Sequence, residues 1–173
     1  SPGTYLVKIS GTFPRIYFNN GGDKEKLLSI DNWGDQVWAS MAGAFYGCSN
    51  MTLSDAAGVP NLAAVNDMSF MFAGCTSFNT NINNWNVTSL VNGAHLFDGC
   101  TSFNQPLNNW NLPNARNLSY VFSNCTAYNS LNFNTAFPRF SPTERVGVDA
   151  SFAFFNCEDY NQPTTWPEVG NYT

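Results

Sequence analysis

Five cysteines and a single histidine are the residues of this chain best able to do chemistry. The cysteines stand at 48, 75, 100, 125 and 157, at intervals of 27, 25, 25 and 32 residues. Thiols ligate zinc, pair as disulfides or act as nucleophiles. Zinc needs tightly spaced ligands, and the chain has no C-x-x-C and only His95 as imidazole, so no metal site and no cofactor are expected. Five is odd for a disulfide framework. A bridge between neighbouring cysteines stays geometrically open, because stacked copies of a unit would lie near the strand spacing of about 4.8 Å. The favoured reading is a ladder of small, buried, reduced thiols, Cys48, Cys75, Cys100, Cys125 and Cys157, that pack rather than react. His95 has no carboxylate or nucleophile at a meaningful spacing. No catalytic residue is assigned, and an enzyme is not expected.

The intervals between cysteines define a unit, and aligning on Cys gives columns. Eight residues before each Cys stand Ser40, Asp67, Asn92, Asn117 and Asp149, all able to cap a helix start. One residue before each Cys stand Gly47, Gly74, Gly99, Asn124 and Asn156, the types that tolerate a left-handed stop. The signals bracket about six residues, which predicts a helix of under two turns. Within it, places −7, −4 and −3 (Met68, Met71 and Phe72 in the second copy) form an apolar face. After the Cys come Met51, Phe78, Phe103, Tyr128 and Tyr160, then Asn79, Asn104, Asn129 and Asn161. An Asn in register suggests a ladder whose side chains satisfy backbone groups of their own and the next copy.

Periods near 25 residues are typical of stacked repeat proteins. The expected fold class is therefore α/β: a solenoid of about five coils of ~25 residues, with short strands and short helices. Residues 1–38 are read as an N-terminal β cap, with strands at 4–10, at 15–18 and around Leu27–Ile30. Residues 39–161 form the repeat solenoid. Residues 162–173 form a C-terminal capping tail, with Trp166 folded back.

The pattern M-F-x-G-C-x-S-F-N is carried by Met71 to Asn79, and its continuation to the N-N-W-N end by Phe97 to Asn111. It resembles the repeats of bacterial surface proteins related to BspA, leucine-rich-repeat-like arrays also found in mycoplasma lipoproteins as domains of unknown function. The segment from Gly11 to Cys48 resembles the usual entry to such arrays. The resemblance implies that the solenoid is right-handed and leucine-rich-repeat-like, with surface exposure, adhesion and contact with proteins or a host, and no catalytic residues. The opening Tyr5-x-Val7-x-Ile9 resembles the last strand of a PKD-type domain, and the absence of a leader there suggests a mature or excised piece of a larger protein.

Composition narrows the partners. The net charge is −5 with only 11% charged residues, and no Lys/Arg cluster exists to replace phosphate counterions. Nucleic acid is excluded on that ground. No apolar run approaches the roughly 18 residues of a membrane helix, so membrane insertion is not expected. Low charge with abundant Asn, Ser and Thr fits an extracellular or cell-surface location. The expected partners are a protein or glycan on another cell or matrix, and neighbouring domains of the same larger protein.

Three features are candidate contact sites. Place −5 holds Gly43, Phe70, His95, Tyr120 and Phe152. On a helical wheel of about 100° per residue it faces away from the core, which predicts a stripe of solvent-facing rings. Trp85 and Trp110 recur ten residues after Cys and could form a platform for sugar rings, or pack at a corner. The insertion at 135–145 brings Phe137, Arg139 and Phe140 into one loop, a candidate contact loop. Column Thr76, Thr101 and Thr126 is too short to argue for ice binding. The expected function is a non-catalytic adhesion or ligand-binding module of a larger bacterial surface protein; a structural spacer and a lectin-like glycan binder are the alternatives.

Overall fold

The computed structural model describes residues 3–130 and 148–162. Its regular elements are few: a 3₁₀ turn at Lys24–Lys26, and two parallel strands, β1 (Ser29–Ile30) and β2 (Thr52–Leu53), paired Ser29 with Thr52 and Ile30 with Leu53. Among the described residues there is no α-helix, and no unit alternating helix with strand. The expectation of an α/β leucine-rich-repeat-like solenoid is therefore overturned. The strands expected at 4–10 and 15–18 are absent too, and Tyr5, Leu6, Val7 and Ile9 are exposed.

Backbone hydrogen bonding explains why the capped six-residue segments are not helices. In the second copy, Met71 N–H donates to Met68 O, Ala73 N–H to Phe70 O, and Cys75 N–H to Phe72 O. These are three overlapping i to i+3 turns. Four of the remaining amides leave the copy altogether: Met68, Phe70, Phe72 and Gly74 donate to the carbonyls of Asn92, Ala94, Leu96 and Asp98. The third copy repeats this towards the fourth: Gly93, His95, Phe97 and Gly99 donate to Asn117, Ser119, Val121 and Ser123. Alternate amides thus close turns and tie neighbouring copies together. A continuous α-helix would need all of them for its own i to i−4 bonds. Isolated parallel bridges Asp67–Asn92, Asn92–Asn117 and Asn117–Asp149 mark the same register.

Two places per copy adopt positive φ, as the third residue of a type II turn requires. One is place −1, where Gly74 and Gly99 have φ of 69° and 73° and Asn124 has 57°. The other is place −5, considered below. The cap residues act on turns rather than helix starts: Asp67, Asn117 and Asp149 accept the amides of Ser69, Ser119 and Ser151 at 2.8, 3.0 and 2.9 Å.

The core lies between the turn segment and the residues after each Cys. Phe45, Phe72, Phe97, Phe122 and Phe154 stack in one column with centroids 5.4–5.8 Å apart. Phe78, Phe103, Tyr128 and Tyr160 form a second. The columns touch within each copy, as at Phe97–Phe103, 4.5 Å. Offset stacking is the favoured geometry for such rings. At the first copy the carbonyls of Gly43, Ala44 and Tyr46 receive the amides of Asn19, Phe18 and Asn20, so residues 18–20 satisfy that edge. Residues 163–173, with Trp166, lie outside the described residues.

Asn79, Asn104 and Asn129 each offer Oδ1 to the backbone amide of the following Asn, at 2.9, 2.9 and 3.3 Å. Asn79 also accepts from Gln105 Nε2 at 3.0 Å. Asn79→Ala should cost about 1 kcal/mol in urea unfolding, since water can reach the bereft amide. Asn79→Asp keeps the acceptor and should recover most of that loss.

Candidate functional site

The residues at place −5 form the most unusual surface of the molecule. Phe70, His95, Tyr120 and Phe152 all have φ of 56°, in the left-handed region that costs a non-glycine residue roughly 1–2 kcal/mol. The aromatic residue is not what the turn asks for; Gly43, with φ of 63° in the first copy, is. The helical wheel is the wrong construction for this segment, because place −5 belongs to a turn. The rings nevertheless fall in register: Phe70–His95 at 4.4 Å, His95–Tyr120 at 4.6 Å and Tyr120–Phe152 at 4.8 Å, with interplanar angles of 9°, 4° and 14°. Each of the four side chains is half-buried.

At the first copy, where Gly43 has no ring, two other aromatics close the end of the stack. Tyr46 lies 5.5 Å from Phe70, tilted by 31°. Tyr17 packs over Gly43, with its Cε2 3.1 Å from where a Cβ would stand, and carries the Arg15 guanidinium at 4.0 Å over its own ring.

His95 does have a carboxylate partner, contrary to the sequence reading. Its Nδ1 lies 2.8 Å from Asp98 Oδ2. The partner three residues on was legible as a spacing, but it meets the imidazole through the i to i+3 turn that joins the two backbones. The other oxygen of Asp98 accepts from Asn124 Nδ2 at 3.0 Å, and Asn124 Oδ1 accepts from Asn156 Nδ2 at 3.0 Å. A chain of hydrogen bonds across three copies therefore fixes the imidazole.

The other predicted residues divide sharply. Trp85 and Trp110 are each 4% exposed, in the core against Phe72 and Phe97, and Trp110 Nε1–H donates to Ile82 O at 3.0 Å. Neither offers a ring face to a sugar. Phe137, Arg139 and Phe140 lie outside the described residues.

The cysteines are free thiols. Each after the first donates to a phenylalanine carbonyl of the preceding copy: Cys75 to Phe45, Cys100 to Phe72, Cys125 to Phe97 and Cys157 to Phe122, at 2.9–3.1 Å. Burial pushes the thiols of Cys48 and Cys157 up to about 12, and raises Cys75, Cys100 and Cys125 as well. A nucleophilic cysteine needs the opposite shift.

Two measurements follow. A chromogenic disulfide reagent should react slowly or not at all with the native protein and count five thiols after unfolding; three would reveal one bridge. The thiols hold their protons in the fold where the unfolded chain would lose them. Their contribution to stability is therefore complete below the ordinary thiol value of 9.0 and is lost as pH rises from there through about 12. An alkaline unfolding titration checks the sign: Cys48→Ala should flatten the loss above pH 9.

No group of three or more His, Cys, Asp or Glu among the described residues is placed to hold a metal ion, and no helix there is long and apolar enough to cross a membrane. No curated protein and no solved structure matches the chain. One protein family does, over residues 39–166. Its description names no leucine-rich repeat, and the described residues form no helix–strand units, so the likeness to BspA-related leucine-rich-repeat-like arrays is withdrawn, together with the adhesin identity drawn from it. The chain belongs to the family described as Mycoplasma protein of unknown function, DUF285.

Proposed function

We propose that the chain is a non-catalytic ligand-binding module of a larger protein displayed outside the cell, and that Phe70, His95, Tyr120 and Phe152 are its contact strip. One observation carries this reading. Four half-buried rings are held at φ of 56°, in a column where glycine would remove the backbone cost. Strain kept in register along a surface points to use of that surface.

The stacking favours a protein ligand over a glycan. Sugars bind aromatic side chains by lying on ring faces, but both faces of His95 and Tyr120 are covered by neighbouring rings. What these two present to solvent is ring edge, the electropositive rim of the quadrupole. Carbonyl oxygens, carboxylates and the faces of other aromatic rings are its natural complements.

The test is to pan a phage-displayed peptide library and a glycan array on the wild type and on the double variant Phe70→Gly, Tyr120→Gly. Peptides that bind the wild type and lose at least tenfold in affinity on the variant support the strip. If selected ligands bind both proteins alike, or none is selected, the reading fails. Sugars retained by both proteins would move the site elsewhere.

A further inference from the structure

His95 is the one polar ring in the strip, and its hydrogen bonds leave it with a defined outer chemistry. The carboxylate of Asp98 can only accept, so Nδ1 of the imidazole carries the proton shared between them. In the neutral ring Nε2 is then an acceptor, the tautomer being set by the bond the other nitrogen makes. Among the described residues Nε2 has no hydrogen-bond partner, and it is not among the buried polar atoms left without one, so it reaches solvent. The side chain as a whole is 26% exposed. With both faces covered and Nδ1 tied down, the ring cannot turn away.

The surroundings select the donor that would meet Nε2. Asp98 lies directly behind the imidazole, and its hold on Nδ1 keeps Nε2 turned outward. Asp67 and Asp149 stand three residues before Phe70 and Phe152, in the segments that carry these rings. Apart from Arg116, which donates to Ala115 O, the described cations all precede the first copy: Lys8, Arg15 over Tyr17, Lys24 beside Gly47, and Lys26 paired with Asp23. The strip is thus an apolar ridge with an acceptor at its middle and negative charge beside it.

We infer that the strip takes a basic peptide segment, with a lysine or arginine side chain donating to His95 Nε2 while neighbouring apolar residues of the peptide lie on the edges of Phe70 and Tyr120. His95 is the specificity-determining residue, and Asp98 is a positioning residue that acts through it. The inference rests on the strip being the contact surface.

Three labelled nonapeptides test it, alternating leucine with lysine, glutamate or serine, titrated by fluorescence anisotropy at fixed ionic strength. The lysine peptide should bind at least tenfold more tightly than either other. His95→Phe keeps a stackable ring of the kind found at 70 and 152, so its unfolding midpoint should be unchanged, and it should lose about tenfold in affinity for the lysine peptide alone. Asp98→Asn should lose less. Asp55→Asn removes the same charge at an exposed place away from the strip and should lose nothing; equal loss there would reduce the effect to general attraction and overturn the inference. Equal binding of the three peptides, or full binding by His95→Phe, also overturns it. If binding persists in the Phe70→Gly, Tyr120→Gly protein, the strip itself is wrong. If binding is lost there but does not distinguish the peptides, only the basic partner is wrong.

Discussion

Replacing Phe97 by alanine should lower the free energy of unfolding by about 4 kcal/mol, near the middle of the range for a buried phenylalanine. Phe97 is fully buried in the third of five copies and meets Phe72, Phe103, Phe122 and Trp110 at 4.5–6.1 Å. The cavity would lie where two ring columns cross. It cannot collapse easily, because the copies on either side are held in register by backbone bonds from Phe97 N–H and to Leu96 O. Urea denaturation followed by tryptophan fluorescence reads the loss as a lower midpoint with an unchanged slope. A loss under 1 kcal/mol would mean that the two columns do not form the common core described here.

The second large effect is on binding rather than stability. Phe70→Gly, Tyr120→Gly should leave the unfolding free energy within about 1 kcal/mol per site of the wild type, because glycine removes a left-handed penalty of similar size to the stacking that is lost. Binding of strip-selected peptides should fall by at least tenfold and, if the sites act together, by about a hundredfold, which is roughly 2.7 kcal/mol. Phe70→Val makes the opposite case: a β-branched residue at φ of 56° keeps apolar bulk but should destabilise the fold by more than the glycine does. A glycine variant that loses several kcal/mol would show that the rings are there for stability.

Much of the packing could be read from the columns, and little of the backbone could. Apolar places such as Met71, Phe72, Phe78 and Phe103 are recognisable by recurrence alone, and all four are fully buried. The Asn places were readable because one residue type recurs where backbone groups would otherwise need partners. The helix inference failed because cap and stop signals are shared by helices and by consecutive turns. A side-chain pattern does not reveal which amides will leave for a neighbouring copy. Gly43 was the available clue. A glycine aligned with Phe70, His95, Tyr120 and Phe152 says that the place has positive φ, and positive φ in mid-segment is incompatible with a helix. Asp98 was missed for a related reason: its meeting with His95 is made by the turn. The same columns gave no way to choose between platform and corner for Trp85 and Trp110, since recurrence is equally expected of both.

The bonds that join one copy to the next have a mechanical consequence. Turn segments are coupled forwards by backbone amides; the Asn amides and the thiols donate backwards, to the Asn Oδ1 and the Phe carbonyl of the preceding copy. A pull along the stack would load one such interface at a time. The module should therefore yield in steps rather than all at once. A 25-residue step would pay out roughly 80–90 Å of chain at about 3.3–3.6 Å per residue. The longer interval from Cys125 to Cys157 should give one distinctly larger step. Under load, such a series of near-equal yields closed by one longer one would make the stack a shock absorber with a built-in length standard.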